Sequence, residues 1–576
     1  MAWSTESRTW RSGAWSLELR GDEFADIAFA GRPVLRSVRA VIRDRNWDTA
    51  ELVIDRVRDS GATLSLHVRS AGLGSSFRGV VRVEARASRL VVIADLESEH
   101  EFSTNRTGLV VLHPPRLAGE ALRVTHSDGT TEETSFPLAI SPHQPVFDIA
   151  QLSWLDSGSE VSVAFEGDVF EMEDQRNWSD ASYKTYSRPL AIPFPYGIAA
   201  GERVQQSVQI DVREVAASGS SSDATTVRLA AGGPVFALGI GAATAPDPAP
   251  SAAAQQFAEV LVELDLGTPN WRAALARAAT SGAPLDVRVI APAGAPFAEL
   301  AGALTGVAAT PGVARVGVFD AVLHVTDAEG LAQLRTVLRT AGLEVPVIGG
   351  SRAHFTELNR EWDLIPRDVD GVAFSTTPLF HSLGTEQLVE SVAVQRTIAQ
   401  QAVELAEGLP VHVGPVTLRP RYNDVATTPP SLPTRDDLAE GYGAEFTGAS
   451  DPRQAAPELA AWTIASASAL AVPGVASIAY FEEWGDRGIR STTGEPYPVA
   501  AALDALSDLA SPDARLLWGD SPDGLVWVIG ARTAAQDVVL VASLDAGPRE
   551  VTVDLGERSL TVCVEPLSFR RVTLDH

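Results

Sequence analysis

From Trp15 to about Val212 the chain alternates apolar and polar residues in short runs broken by polar turns, as in Ser16-Leu17-Glu18-Leu19-Arg20, Ala62-Thr63-Leu64-Ser65-Leu66-His67-Val68 and Leu90-Val91-Val92-Ile93-Ala94. A period of two sends successive side chains to opposite faces of a strand, and no long helical run interrupts the series. Residues 1–215 are therefore expected to form a large antiparallel β-sandwich. The small-residue run Ala216 to Asp223 predicts a linker over 216–226.

Beyond the linker the pattern changes. Apolar strand-like runs begin at Val235, Val260, Leu285, Val313, Val345, Gly371, Val411 and Val475, most of them separated by amphipathic segments such as Trp271 to Thr280 and Leu331 to Ala341. That rhythm over 227–500 predicts a central TIM (β/α)8 barrel, with a doubly wound open sheet as the competing parse. Gly239 and Gly241 do not complete the phosphate loop such a sheet would carry. Alternation returns in Gly524 to Ile529 and Asp537 to Ala542, so 501–576 is expected to be a small C-terminal β-domain packed on the barrel.

Composition narrows the function. The net charge of -28 argues against nucleic acid, which needs a basic face, and favours a small neutral or weakly charged substrate. The single cysteine, Cys563, excludes an intrachain disulfide and any cysteine-built metal site. No histidine pair at helical spacing, Walker loop or Gly-x-Ser-x-Gly elbow occurs, so chemistry without cofactor or metal is expected. With no apolar run long enough for a bilayer and no secretory signal, the expectation is a cytoplasmic protein without a membrane partner.

Candidate chemistry gathers in two places. Lys184 is the only lysine, and it lies in Phe170-Glu171-Met172-Glu173-Asp174-Gln175-Arg176-Asn177-Trp178-Ser179-Asp180-Ala181-Ser182-Tyr183-Lys184-Thr185-Tyr186, expected as a loop or hairpin at one end of the sandwich. An ammonium does what a guanidinium cannot, since it is a compact charge with a tunable pKa; the plainer reading is a solvated pair with Glu173 or Asp174. The other place is the C-terminal ends of the barrel strands, where Glu357 follows the fifth strand and Glu482 ends the eighth. If the two point into one pocket, their pKa values are pushed apart and they can serve as base and acid; as structural groups, Glu357 would pair with Arg360 and Glu482 would cap a helix. His381, Arg419, Tyr422 and Asn423 follow the sixth and seventh strands and suit a hydroxylated ligand.

The segments Val41 to Trp47, Asn105 to Pro114 and Phe170 to Tyr186 resemble the N-terminal domain of the D-apionate lactonase family. Phe355 to Arg360, Val416 to Asn423, Asp451 to Gln454 and Tyr480 to Gly488 are similar to its middle domain, so the likeness spans nearly the whole chain. The chain departs from the family pattern at Tyr480-Phe481-Glu482-Glu483-Trp484-Gly485-Asp486-Arg487-Gly488 and at Pro378-Leu379-Phe380-His381, where Glu482 and His381 are nonetheless kept.

The resemblance implies a hydrolase that opens an aldonolactone of apiose. In that expectation Glu482 activates water, Glu357 or His381 protonates the leaving alkoxide, and Lys184 stabilises the oxyanion. Asp174, Arg176, Asn177, Asn359, Arg360, Arg419, Tyr422, Asn423 and Trp484 would contact the sugar. Two alternatives stay open: a glycoside hydrolase using Glu357 and Glu482 as acid/base and nucleophile, and a non-catalytic carbohydrate-binding protein.

Overall fold

The computed structural model describes residue 3 and residues 6–156, 158–214, 225–251 and 255–576; the predicted linker from Ala216 to Asp223 lies outside them. Alternation in the N-terminal third becomes strands that bury every second side chain, as in Trp15–Arg20 and Arg89–Ser98. These join one antiparallel sheet of 16 strands. Leu17 and Phe24 near one end of the strand order share a hydrophobic core with Leu66 and Val81 near the other, and the Trp15 indole donates to the Ala87 carbonyl at 3.1 Å. The N-terminal domain is thus one sheet folded over on a single core.

Three strands in the middle of that sheet, Arg106–His113, Phe170–Asp174 and Tyr183–Ser187, are buried on both faces. Their inner side chains, such as Leu109, Phe170, Met172 and Tyr183, enter the sandwich core. The alternate residues face the second domain, which covers them and places polar groups in the interior.

That domain is a closed parallel barrel of β1 (Ala237–Gly241), β2 (Glu259–Asp265), β3 (Leu285–Ala291), β4 (Val313–Asp320), β5 (Val347–Gly350), β6 (Gly371–Thr376), β7 (Val411–Val416) and β8 (Val475–Glu482). Surrounding helices end as their sequences dictate. Ala328–Ala341 starts with the Asp327 carboxylate accepting from the Gly330 amide and stops at Gly342, whose φ of 65° suits a residue without Cβ. Helix Glu458–Leu470 is buried on every side because the C-terminal domain covers its outer face, where Ser468 donates to the Val528 carbonyl at 2.9 Å.

The C-terminal domain consists of a five-stranded and a three-stranded sheet around one core. Two of its strands come from before the barrel: Thr226–Arg228 pairs with Arg549–Asp554, and Ala230–Pro234 with Arg515–Trp518. The expected start of the barrel at 227 is moved to Ala237 by this pairing, and the expected boundary at 500 falls inside the last barrel helix, Val499–Ser507.

Sandwich and barrel meet through polar contacts. Arg36 pairs with Glu390 at 2.7 Å, Gln401 donates to the Ile140 carbonyl at 2.9 Å, and Ser179 lies 2.8 Å from the Thr376 hydroxyl.

Candidate active site at the domain junction

Of the loop or hairpin expected for Phe170 to Tyr186, the structure has a hairpin, and its two strands lie in the middle of the sheet order. Glu173 stands opposite Lys184 and Glu171 opposite Tyr186, and these four point toward the barrel while Phe170, Met172 and Tyr183 point away. A 3-10 turn, Gln175–Trp178, joins the strands; the Asp174 carboxylate caps its start and Ser179 ends it at φ 66°.

Lys184 is ion-paired with Glu173 and is only 4% exposed, so the pair is not a solvated one. Glu173 also accepts from the Trp178 indole at 3.1 Å and faces Arg360 at 3.4 Å. Burial pulls the Lys184 ammonium down to about 8, against the attraction of Glu173, and Arg43 and Arg106 push the same way as burial. Burial alone would raise the Glu173 carboxyl, but the charges of Lys184 and Arg360 outweigh it and hold the group well below the usual carboxylate range.

Beside this pair, His381 donates from Nδ1 to the Asp180 carboxylate across 2.7 Å. Burial lowers the imidazole pKa despite the partial compensation from Asp180, so the ring is neutral at pH 7. With Nδ1 carrying the proton, Nε2 offers a lone pair.

Lys184, Glu173 and His381 all line a cavity of about 680 Å³ between the domains. Arg43, Arg106, Arg360 and Arg419 add positive charge to its wall, against the carboxylates of Glu173 and Asp48. Its aromatic side is built by Trp178 stacked on Phe380, with ring centroids 4.6 Å apart, and by Trp47 against Phe194. A strongly acidic protein therefore encloses a cationic pocket.

Of the residues expected from the sequence, Lys184, His381, Arg360, Arg419, Tyr422 and Asn423 line this cavity. Asn423 also donates to the Asn46 carbonyl at 3.0 Å, which ties the barrel loop to the sandwich. The remaining expected residues lie outside it, each occupied elsewhere. Asp174 pairs with Arg176 at 2.7 Å, and Arg176 donates to the Pro137 carbonyl at 2.8 Å. The Asn177 side chain meets Asn359 at 2.9 Å, a lock between the domains. Trp484 packs on Ala243 and Ala245 beneath Arg277. Glu482 accepts from the Thr244 amide, in the loop after β1, at 2.8 Å and from Arg487, in the turn after β8, at 2.9 Å, so these two segments together engage both of its oxygens.

Glu357 accepts from the His354 amide at 2.9 Å and closes a capping box on helix Phe355–Arg360. Burial, and then the neighbouring Asp424, push its carboxyl well above the usual range. Burial raises Asp424 to about 6. Glu357 and Glu482 therefore belong to separate networks, and neither lines the junction cavity or the second cavity, of about 510 Å³, at the barrel mouth. That second cavity is lined by Glu263, Arg352, Arg421, Tyr422 and Asp424, among others.

Sequence reasoning passed over Arg43, Arg106 and Asp180, and treated Glu173 only as a counter-ion. The signal for Glu173 was available, because it is one residue out of phase with the core position Met172 and so lies on the opposite face of its strand, where Lys184 is its cross-strand neighbour. Asp180 and His381 are 201 positions apart and meet only through domain docking.

A barrel whose mouth is completed by a β-domain, with a His–Asp pair and buried cations at the junction, defines the class to which this molecule belongs. More narrowly, the chain belongs to the D-apionate lactonase family: residues 2–215 match that family's N-terminal domain and residues 239–511 its TIM barrel domain. It is 28% identical to the D-apionate lactonase of Brucella anthropi, with 92% of this chain and 93% of that one covered. Solved structures resemble it remotely. A GH30 endoxylanase from Clostridium papyrosolvens is 10% identical with a TM-score of 0.37, covering 62% of this chain and 100% of that one. A galactose mutarotase-like protein from Lactobacillus casei is 8% identical with a TM-score of 0.26, covering 36% of this chain and 100% of that one.

Among the described residues no helix is long and apolar enough to cross a membrane.

Proposed function

We propose that the protein hydrolyses a sugar-derived γ-lactone of the D-apionolactone type, and that the chemistry runs in the junction cavity. The observation that carries this reading is the neutral His381 held by Asp180 on the wall of a pocket lined with cations. His381 Nε2 takes a proton from water as the water oxygen bonds to the lactone carbonyl carbon. Negative charge then develops on the carbonyl oxygen, where Lys184 and Arg360 supply fixed donors in a buried setting. Collapse of this intermediate breaks the bond to the ring oxygen, and His381 returns its proton to that oxygen. The products are the open hydroxy acid, as its carboxylate, and a proton released to solvent.

Glu173 keeps Lys184 charged at neutral pH, since without it burial would drive the ammonium lower still. A retaining glycosidase needs two carboxyl groups about 5 to 5.5 Å apart across its substrate. The two glutamates expected for that role are committed to separate structural networks, which favours the lactonase reading over the glycosidase one.

The test is a panel of purified aldonolactones and nitrophenyl glycosides, assayed with wild type and His381→Gln. Lactone opening in wild type, lost by about a hundredfold or more in the variant, is expected. Glycoside cleavage, or full lactone turnover in the variant, overturns the assignment.

A further inference from the structure

Arg43 and Arg106 sit opposite each other on adjacent strands of the sandwich, and both line the junction cavity. Among the described residues, neither makes an ion pair with a carboxylate. Arg106 is 4% exposed, its Nε has no hydrogen-bond partner, and among the described residues the one hydrogen bond of its guanidinium runs 3.4 Å to the Arg188 carbonyl. The Arg43 guanidinium donates, among the described residues, to the Trp47 carbonyl at 3.5 Å and to no other group. Of the nearby acids, Glu173 is engaged by Lys184 and Arg360 and Asp180 by His381, while Asp48 on the same cavity wall attracts Arg43 without forming an ion pair with it. Setting a buried and a half-buried like charge side by side with no ion pair to either is costly, and here it happens in a chain with 74 acidic and 46 basic residues. Each arginine also pushes down the pKa of Lys184, and Arg106 pushes down that of Arg43.

We propose that Arg43 and Arg106 form an anion subsite that receives a carboxylate, and that it holds the hydroxy acid formed when the lactone opens. The Arg106 guanidinium lies with its carbon 3.5 Å from the centre of the Tyr186 ring, so its face is taken and its N–H edge is the surface left for a ligand. A planar fork of donors of this kind suits a carboxylate, which it can bind through both oxygens. Cleavage converts a neutral ring into such a group inside the cavity. The subsite therefore distinguishes product from substrate, and it makes release of the acid sensitive to these two arginines. This inference rests on the lactone-hydrolase reading for the identity of the acid.

Titration calorimetry on the full chain tests it without turnover. The probes are D-apionate, the alditol with its carboxyl reduced, and inorganic phosphate; the proteins are wild type, Arg43→Gln, Arg106→Gln, Arg106→Lys and the exposed control Arg78→Gln. D-Apionate should bind wild type at least tenfold tighter than the alditol. Arg43→Gln and Arg106→Gln should each weaken D-apionate at least tenfold while leaving the alditol unchanged, and Arg78→Gln should match wild type. Arg106→Lys keeps the charge without the fork, and should weaken D-apionate even if a glutamine variant fails to fold. Equal binding of acid and alditol, phosphate binding tighter than the acid, or unchanged D-apionate affinity in both Arg106 variants overturns the proposal. A protein that binds D-apionate through these arginines but opens no lactone would retire the lactonase reading and keep the subsite. Lactone opening without preference for the acid would do the reverse.

Discussion

Replacing Glu173 by Gln tests whether the Lys184 pair is as deeply buried as the hairpin register implies. Removing one partner of a buried pair commonly costs about 3 to 5 kcal/mol, because the other charge is left without compensation. Lys184 has an escape. Its pKa is lowered from 10.5 to about 8 in the folded protein, so at pH 7 it can shed its proton for about 1.4 kcal/mol beyond what wild type already bears. That figure caps the extra cost from Lys184 at pH 7; at pH 6 the cap is about 2.7 kcal/mol, and near pH 8 it approaches zero.

The sign follows from proton counting. In the variant the folded state has lost a proton that the unfolded state, with its lysine near 10.5, still holds, so stability rises with pH wherever this difference exists. The variant should therefore lose most against wild type at pH 6 and least at pH 8, in guanidinium unfolding at the three pH values. A loss that is flat across this range, or one above about 5 kcal/mol at pH 7, would mean that Lys184 stays charged without Glu173 and would refute the reasoning.

Other substitutions separate the junction from the barrel ends. Asp180→Asn removes the group that orients the His381 ring, and kcat/KM should fall about 10² to 10⁴-fold with KM nearly unchanged in steady-state assays; a fall confined to KM would make Asp180 a binding group. Glu482→Gln takes a partner from Arg487 and should cost about 1 to 3 kcal/mol in denaturant unfolding while lactone turnover stays within about fivefold. A hundredfold loss of turnover there would return the β8 carboxylate to the chemistry. Burial, and then Asp424, push the Glu357 carboxyl well above its usual range and so favour its neutral form, and Glu357→Gln, which keeps the acceptor for the His354 amide, should change stability by less than about 1 kcal/mol at pH 7.

The sequence revealed the architecture better than the site, for a physical reason. Alternation and strand–helix rhythm are local, so they marked the sandwich strands and all eight barrel strands. They could not show that Thr226–Arg228 and Ala230–Pro234 leave the barrel for sheets formed with strands about 300 residues later. Lys184 stood out because a lone lysine is visible in composition. Its setting depends on the register that places Glu173 opposite it and on a barrel that covers the outer face of the sheet. Glu482 and Glu357 looked chemical because strand ends in barrels often are. What occupies Glu482 is Thr244 from the loop after β1 together with Arg487 from the turn after β8, and what occupies Glu357 is a capping box on the His354 amide. Asp180–His381 and Arg43–Arg106 are long-range pairs, legible only once the sheet is aligned and the domains are docked.

The central claim is that a neutral histidine at the domain junction activates water for lactone opening. The most direct measurement is kcat/KM for a γ-aldonolactone from pH 4.5 to 8 in wild type and His381→Gln, with the pH-dependent background hydrolysis subtracted. Because burial lowers the His381 pKa beneath its ordinary value of 6.5, the wild-type rate should hold its plateau below pH 6.5 and fall only at more acid pH, while the variant should be slower by about a hundredfold or more with that limb gone. An acid limb that persists unchanged in His381→Gln, or a variant within a few fold of wild type at pH 7, would contradict the account.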